Sequence, residues 1–280
     1  MGDGKPPGHA GEIASGERFG FGENWRNFLD SLTDDRIEAA CGSMRDLLEA
    51  DRLAGKSFLD IGSGSGLFSL AAMRLGADRV CSFDYDPQSV ACTRELRMRY
   101  FPEDPRWTVL EGSVLDGNFV SSLGEYDVVY SWGVLHHTGD MWRAIGIAAG
   151  GVAPAGLFAL AIYNDQGRKS KIWKAVKKLY CRTPRPLRAP LFLPIPLAWE
   201  VLRMVLLLSQ GKMPFRNWWK AGERGMSPWH DWIDWLGGYP FEVAKPEEIF
   251  SILRRLGFSL QNLVTRLGGL GNNEYVFRRQ

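Results

Sequence analysis

The stretch FLDIGSGSG, residues 58–66, constrains the fold of this chain more than any other. A short apolar segment runs into alternating glycines, and the helix-forming run LFSLAAMRLG follows at once. Glycine allows the backbone to turn sharply and allows a ligand to approach it closely. Asp84 ends the next apolar segment, 22 residues after Gly62, where a carboxylate can accept both hydroxyls of a ribose. Together these features predict a strand–loop–helix unit that binds a nucleoside.

Apolar strands and helical segments alternate along the middle of the chain. The helix 245–257 and an antiparallel strand pair follow at the C-terminal end. This order predicts an α/β fold with a doubly wound, mostly parallel, Rossmann-like seven-stranded sheet and right-handed crossovers. The predicted strands of the alternating part lie in the ranges 57–66, 79–87, 107–116, 126–137 and 156–164.

The sequence divides into five parts. Residues 1–17 are rich in glycine and proline without apolar periodicity, and we expect them to be disordered. Residues 18–56 carry two helical patterns and are expected to form a lid over the cofactor-binding core at 57–164. Residues 165–244 interrupt the alternation for longer than an ordinary connection, which predicts an inserted helical cap after the fifth strand. Residues 245–280 are expected to complete the core as a closing helix and β-hairpin.

Composition narrows the class of protein. Of the 280 residues, 45% are hydrophobic and the net charge is +2, so the chain can bury a large core and carries no overall field toward nucleic acid. The four cysteines lie far apart, which predicts reduced thiols and no metal site. The N-terminal residues lack an apolar signal segment, and we expect a cytoplasmic protein.

The region 168–208 combines a basic run with a long apolar run. Residues 168–188 hold nine basic residues and no acid, which indicates either a solvated helix face or a site for an anionic partner. Ile172, Trp173, Val176 and Leu179 form an apolar stripe there, and we expect that stripe to pack. Residues 189–208 approach the length of a membrane span, but charges and prolines favour a helical element covering the core. Contact with a membrane surface through 168–208 is the minority interpretation.

Four motifs carry a family resemblance. FLDIGSGSG, SFDYDP, LEGSV and DVVYSWGVLHHTGD occur in this order along residues 57–164 and resemble those of the class I S-adenosylmethionine-dependent methyltransferases. Leu67 stands where a dinucleotide fingerprint has glycine, and the loop has no Lys-Ser or Lys-Thr pair, which argues against a P-loop. The resemblance implies an enzyme, with S-adenosylmethionine as its cofactor.

The resemblance also implies which residues bind the cofactor. Asp60 would face the amino group of the methionine part, and Asp84 would accept the ribose hydroxyls. Trp25, in the N-terminal lid with Phe19 and Phe21, is expected to close the site. The other cofactor-binding residues implied are Gly62 and Gly64 along the methionine part, Gly66, Tyr85 on the adenine, Ser113 and Val114 beside it, and Trp132 and Gly133 beside the sulfonium.

The candidate acceptor site draws on two regions. His136 and His137 follow the fourth strand, and either could act as a base or serve only in packing. Tyr163 and Asn164 end the fifth strand and could bind substrate or cap the sheet. The segment 224–242 is dense in aromatic and polar residues. We expect it to supply His230 as a further base candidate, with Arg224, Trp229, Asp231 and Tyr239 as substrate-binding residues.

The expected function is methyl transfer to an oxygen of a small-molecule acceptor, either a hydroxyl or a carboxylate. The basic and apolar composition of the cap indicates an anionic or amphiphilic acceptor. The run SWGVLHHT replaces the Asn/Asp-Pro-Pro-aromatic run of amide- and base-methylating members, which argues against DNA. The alternatives are a nitrogen acceptor on a small molecule, modification of RNA, and a non-catalytic protein that only binds the cofactor.

Overall fold

The computed structural model describes residues 8–210, 236–267, 269 and 271–280. Their framework is a single seven-stranded sheet with helices on both faces. The strands are β1 (Ser57–Ile61), β2 (Arg79–Asp84), β3 (Trp107–Glu111), β4 (Tyr126–Trp132), β5 (Val152–Tyr163), β6 (Phe258–Val264) and β7 (Asn272–Arg279).

Eleven α-helices and one short 3-10 turn are described around this sheet. The turn spans Leu135–His137 and begins three residues after the end of β4. The helices are α1 (His9–Ala14), α2 (Gly22–Asp30), α3 (Asp34–Leu48), α4 (Leu67–Arg74), α5 (Pro87–Tyr100), α6 (Gly117–Ser122), α7 (Met141–Gly150), α8 (Arg168–Arg182), α9 (Arg185–Phe192), α10 (Pro194–Ser209) and α11 (Pro246–Arg255).

The strand order confirms the predicted fold class. The order is β3-β2-β1-β4-β5-β7-β6, with β1 to β5 parallel and β7 antiparallel to both of its neighbours. The chain runs outward from β1 in one direction and from β4 in the other. The carboxyl ends of β1 and β4 therefore flank a crevice, which is where open α/β sheets bind ligands.

The sheet is buried on both faces, as parallel sheets usually are. In β1, Phe58 packs in one apolar layer while Leu59 and Ile61 pack in the other. Each of these three side chains is at most 1% exposed. Side chains alternate across a strand, so a strand covered on both faces reads as a continuous apolar run. This burial fixes the end of β1, and with it the position of the glycine loop that follows.

We expected residues 1–17 to be disordered, but the structure places helix α1 within residues 8–17. None of its residues is buried, and polar contacts hold it in place. Arg18 donates to the Glu12 carboxylate at 2.5 Å, and the His9 ring lies 3.7 Å from the Asp86 carboxylate. Because polar contacts anchor this six-residue helix, its sequence needs no apolar periodicity. The sequence therefore gave no sign of a helix at this position.

The described part of the predicted cap contains α8, α9 and α10. The expectation that the apolar stripe of α8 packs is wrong for its outer members, since Ile172 and Leu179 are 62% and 61% exposed. The buried face of α8 instead carries Ser170, Lys177 and Cys181. The Lys177 ammonium lies 5.0 Å from the Phe241 ring and 5.7 Å from the Tyr163 ring. Aromatic faces can hold a desolvated cation, and this contact sets which side of α8 faces inward.

Among the described helices, none combines the length and the apolar character needed to cross a membrane.

Candidate active site

A cavity of about 550 Å³ lies at the carboxyl ends of the parallel strands. Its volume falls within the range of about 300–1,000 Å³ that small-molecule sites occupy. Fourteen residues predicted from the sequence line it: Phe19, Phe21, Trp25, Asp60, Gly62, Gly64, Asp84, Tyr85, Ser113, Val114, Trp132, Gly133, His137 and Tyr163. The structure thus brings most of the expected site together, while the role of each residue stays a prediction.

The glycine loop forms one wall of the cavity. Gly62 and Gly64 both adopt positive φ, +76° and +55°, which disfavours any side chain. A Cβ at Gly62 would lie 2.4 Å from a methyl group of Val134, and one at Gly64 would lie 2.8 Å from the Trp25 indole. The bare backbone therefore allows both the Val134 turn and the predicted lid residue Trp25 to pack directly on the loop.

Gly66 has a different position from the other two glycines. It lies off the cavity wall, and a Cβ there would come within 3.0 Å of the Thr93 side chain and backbone on α5. Its φ of +82° starts α4 at this close contact. Gly66 therefore allows α4 and α5 to pack closely, and its predicted cofactor contact stays a prediction.

Asp84 is oriented by two backbone donors. The Gly64 N–H and the Asp86 N–H each donate to one of its carboxylate oxygens, both at 2.9 Å. Each oxygen retains a further lone pair that can accept a hydroxyl from a ligand. Burial raises the pKa of Asp84 to about 6, and the two N–H donors oppose that rise. The carboxyl thus has the position and the acceptor capacity to bind a ribose.

The N-terminal segment covers Tyr85, beside Asp84. The His9 ring meets the Tyr85 ring edge-on at 5.2 Å, and the Arg18 guanidinium lies over that ring at 5.1 Å. Ser113 and Val114 line the same end of the cavity. This end is therefore enclosed by aromatic and apolar groups next to a carboxylate, an arrangement that suits a nucleoside.

Asp60 lies at the bottom of the cavity in a buried hydrogen-bond chain. The Ser69 hydroxyl donates to its carboxylate at 2.5 Å and lies 2.6 Å from the Ser82 hydroxyl, which accepts from the Trp107 indole at 2.8 Å. Burial raises the pKa of Asp60 to about 7. A buried carboxyl of this kind gains from a cationic ligand group, because the cation compensates its loss of solvation.

The two neighbouring histidines have different environments. His137 lines the cavity, and its Nδ1 lies 2.6 Å from the Pro240 carbonyl oxygen. A carbonyl only accepts, so Nδ1 carries the proton and Nε2 keeps the basic lone pair. Burial lowers the pKa of His137 to about 3, so the ring is neutral near pH 7. His136 is fully buried outside the cavity wall and packs on the Tyr163 ring, with the ring centroids 4.1 Å apart.

Two residues that the sequence reasoning missed also line the cavity. Arg266 and Asn272 come from the β6–β7 hairpin, which reaches the site because β7 pairs with β5 and places Asn272 beside Tyr163. Among the described residues, the side-chain oxygen of Asn272 is buried without a hydrogen-bond partner. A buried acceptor without a partner is costly, so this atom calls for a donor from a ligand.

Asn164 and Tyr239 lie outside the cavity wall. The Asn164 amide donates to the Gly269 carbonyl at 3.3 Å, and its side-chain oxygen accepts from Asn273 at 3.2 Å. Asn164 therefore anchors the hairpin that carries Arg266 and Asn272. The Tyr239 carbonyl accepts from the Phe19 N–H at 2.8 Å and so helps to hold the N-terminal segment. The remaining predicted residues, Arg224, Trp229, His230 and Asp231, fall outside the described residues.

The cavity wall fits S-adenosylmethionine. Asp84 offers lone pairs for ribose hydroxyls, Asp60 offers a carboxyl for an ammonium group, and the glycine loop offers bare backbone between them. The unpartnered oxygen of Asn272 offers a further acceptor. Asp84, Asp60 and the glycine loop would hold the cofactor with its nucleoside end toward Tyr85 and its sulfonium toward Trp132 and Gly133, as the family resemblance implies.

The family model that matches this chain covers part of the cofactor-binding core. The family model for ribosomal protein L11 methyltransferase matches residues 43–127, from within α3 to the start of β4. The ribosomal protein L11 methyltransferase of Tolumonas auensis is 27% identical over 174 residues, covering 55% of this chain and 53% of that protein. The ubiquinone biosynthesis O-methyltransferase of a Methylobacterium species is 33% identical over 129 residues, covering 45% and 49%. The chain thus spans about half the length of these curated relatives.

A solved structure shares the whole fold. Magnesium protoporphyrin IX methyltransferase from Synechocystis, with bound SAM, superposes with a TM-score of 0.55 at 14% identity, covering 100% of both chains. At that identity the likeness concerns the fold alone. The matched cofactor-binding part and the methyltransferase relatives support a class I S-adenosylmethionine-dependent methyltransferase, and the solved structure shares that fold.

Proposed function

We propose that this protein transfers the methyl group of S-adenosylmethionine to an oxygen atom of a small-molecule acceptor. The observation that carries the proposal is the continuity of one cavity from Asp84 and Tyr85 to a second, polar end at His137, Tyr163 and Asn272. A cofactor and an acceptor can lie side by side in such a cavity. Holding two reactants in line removes much of the entropic barrier to a displacement.

The two ends of the cavity have separate tasks in this proposal. The bound cofactor would supply a methyl group activated by its sulfonium. An acceptor oxygen that attacks the methyl carbon in line would leave S-adenosylhomocysteine, a neutral thioether, as the leaving group. Asp84 binds the ribose, and Asp60 binds the amino group. Trp25 packs on the glycine loop and keeps water from the reacting atoms. Orientation and exclusion of water are the main contributions that the chain itself makes.

The environment of His137 favours an acceptor that needs no base. With a pKa of about 3, its Nε2 has little affinity for a proton near neutral pH. A carboxylate oxygen already carries a lone pair and a negative charge, so it can attack the methyl group without deprotonation. The exposed Arg266 at the cavity edge provides a cation for that charge. We therefore place a carboxylate acceptor ahead of a neutral hydroxyl.

A protein acceptor is a second candidate, because several relatives bear the name ribosomal protein L11 methyltransferase. The family model, however, ends at residue 127, before β5 and the β6–β7 hairpin that bring Tyr163, Arg266 and Asn272 to the cavity. The family-model match therefore covers the cofactor end and does not reach these three residues. A small molecule remains the proposed acceptor.

Labelled methyl transfer tests the proposal. The protein is incubated with S-adenosylmethionine carrying a labelled methyl group and with cell extract separated into small-molecule, protein and RNA fractions. We expect the label in the small-molecule fraction, as a product that mild alkali hydrolyses, because a methyl ester is labile to base. Label in the protein or RNA fraction alone would contradict the small-molecule acceptor.

Arg266→Gln tests the acceptor end separately from the cofactor end. We expect the KM for the acceptor to rise about tenfold, since a charged hydrogen bond contributes about 1.5–3 kcal/mol and this residue is exposed. The Kd for S-adenosylhomocysteine should not change. Arg254→Gln on α11, also exposed, serves as the matched control. Equal KM values for the two variants would contradict a role of Arg266 in binding the acceptor.

A further inference from the structure

A large exposed apolar surface lies on α10. Its members Leu197, Val201, Leu202, Val205, Leu206 and Leu208 are each 52–59% exposed. No described side chain of α10 is buried. Apolar side chains of this number on one helix, with so little of their area covered, mark an interaction surface rather than ordinary surface variation.

The members of this surface lie side by side along the helix. Leu197, Val201, Val205 and Leu208 follow one another at spacings of four, four and three residues, which places them in one stripe. Leu202 and Leu206 widen the stripe on one side. The stripe is therefore a continuous apolar strip along most of α10.

The outward face of α8 adds positive charge to apolar side chains. Ile172 and Leu179 are exposed and lie seven residues apart on one face. Arg168 and Lys169 precede Ile172 by four and three residues and share that face. Long basic side chains can keep their charge in water while their stems lie along an apolar surface. This face therefore has the composition of a helix that lies at a membrane interface.

The segment 168–188, which contains α8 and the start of α9, is strongly basic. Nine basic residues and no acid occur between 168 and 188. Arg182 and Arg185 pair with Glu17 and Glu23, while Arg168, Lys169, Lys171 and Lys174 are all exposed in the first two turns of α8. Links of two residues and one residue join α8, α9 and α10. We call the exposed apolar and basic side chains of residues 168–209 the cap surface.

We infer that the cap surface docks on an anionic phospholipid bilayer. Such a surface offers negative headgroups for the basic residues and a hydrocarbon boundary for the stripe on α10. Docking of this kind uses side chains at the surface of α8 and α10 and needs no membrane-spanning helix. The inference is independent of the proposed methyl transfer, because it uses none of the cavity residues.

A second copy of this chain and an RNA each fit the cap surface less well than an anionic bilayer does. A second copy of this chain would cover the apolar stripe, but it would also bring a second basic run toward the first, and like charges repel. RNA would neutralise the basic residues but would leave the apolar stripe of α10 in water. A bilayer with acidic headgroups satisfies both parts of the cap surface at once.

Flotation with lipid vesicles tests this inference on the full chain. The probes are vesicles of phosphatidylcholine alone and vesicles that contain roughly one-third phosphatidylglycerol. We expect the protein to float with the anionic vesicles at least about tenfold more strongly than with the neutral ones, and salt to weaken the binding.

Paired variants assign the binding to the cap surface. Val201→Glu with Val205→Glu places charge in the apolar stripe, and Lys169→Glu with Lys171→Glu inverts charge on α8. Each pair should lower binding to anionic vesicles about tenfold or more, since basic residues near the surface attract anionic headgroups and a charge in the apolar boundary is unfavourable. Met98→Glu is the control, because Met98 is 59% exposed on α5, outside the cap surface. Circular dichroism and thermal unfolding confirm that every variant folds.

Several outcomes would overturn the inference. One is equal flotation with neutral and anionic vesicles, or none with either. Another is unchanged binding in both paired variants. A concentration-dependent dimer that Val201→Glu with Val205→Glu dissociates, without vesicle binding, would assign the stripe to a second copy. Salt-sensitive RNA binding without vesicle binding would assign the basic run to nucleic acid.

Discussion

At the scale of single residues, two buried carboxyls dominate the cofactor end of the cavity. Burial raises the pKa of Asp60 to about 7 and that of Asp84 to about 6. In the ligand-free protein both are therefore partly protonated between pH 6 and pH 7. An ammonium beside Asp60 and hydroxyls donating to Asp84 favour the ionised forms, so we expect cofactor binding to release protons.

The affinity for S-adenosylhomocysteine should consequently rise with pH. A carboxyl with a pKa of about 7 is ionised in roughly a tenth of molecules at pH 6 and nine-tenths at pH 8, so the Kd should fall about tenfold over that interval. Titration calorimetry at pH 6, 7 and 8, in two buffers of different ionisation enthalpy, measures both the Kd and the protons released.

Asp60→Asn isolates one of the two carboxyls. This variant should bind more weakly at pH 8 and lose the pH dependence above pH 7, with the contribution of Asp84 remaining near pH 6. A Kd that rises with pH in the unmodified protein, or a slope that Asp60→Asn leaves unchanged, would contradict the assignment of Asp60 to the amino group.

The residue scale also shows how far local sequence signals reach. Asp60, the loop glycines and Asp84 could be predicted because a strand end, a turn and the next strand end are adjacent in the sequence and in the fold. His136 and His137 looked equivalent, but a 3-10 turn rotates successive residues by about 120°. Only His137 therefore lines the cavity.

At the scale of elements, Arg18 makes several of the contacts that hold the N-terminal segment to the core. Arg18 donates to the Glu12 carboxylate at 2.5 Å and to the His137 carbonyl at 2.9 Å, and it lies over the Tyr85 ring. It therefore joins α1, the turn after β4 and the end of β2 around the nucleoside end of the cavity. No residue of α1 is buried, so the docking of this helix depends on polar contacts such as these.

Arg18→Ala should loosen the segment without unfolding the core. We expect faster hydrogen exchange over residues 9–17 and a Kd for S-adenosylhomocysteine raised several-fold to about tenfold, because hydrogen bonds to charged groups contribute about 1.5–3 kcal/mol. Arg45→Ala is the matched control, since Arg45 pairs with Glu38 at 2.9 Å within α3 alone. If both variants keep the original exchange pattern and Kd, Arg18 does not hold the segment.

Two features of the elements could not be predicted from the sequence: the pairing of β7 with β5 and the orientation of α8. Arg266 and Asn272 reach the cavity only through the antiparallel pairing of β7 with β5, which joins segments more than a hundred residues apart. No local pattern encodes that pairing. The apolar spacing in α8 correctly predicted a helix. Burial of Lys177 against Tyr163 and Phe241, however, places a different face of that helix inward. Tertiary contacts decided the orientation of this helix.

At the scale of the whole molecule, the sheet order determines where the two ends of the cavity meet. The strands run outward from β1 toward β3 and from β4 toward β6, so the glycine loop and the acceptor end lie on either side of the same crevice. The alternation of strands and helices predicted this sheet, because each parallel crossover needs a helix. The acceptor itself depends on the shape and charge of the second end, which no motif specifies.

The most direct measurement is a crystal structure of the full chain with S-adenosylhomocysteine. We expect the ribose hydroxyls within hydrogen-bond distance of Asp84, the amino group toward Asp60, and the sulfur beside Trp132 and Gly133, facing His137, Tyr163 and Asn272. A ligand bound elsewhere, or one whose sulfur faces away from these three residues, would contradict methyl transfer in this cavity.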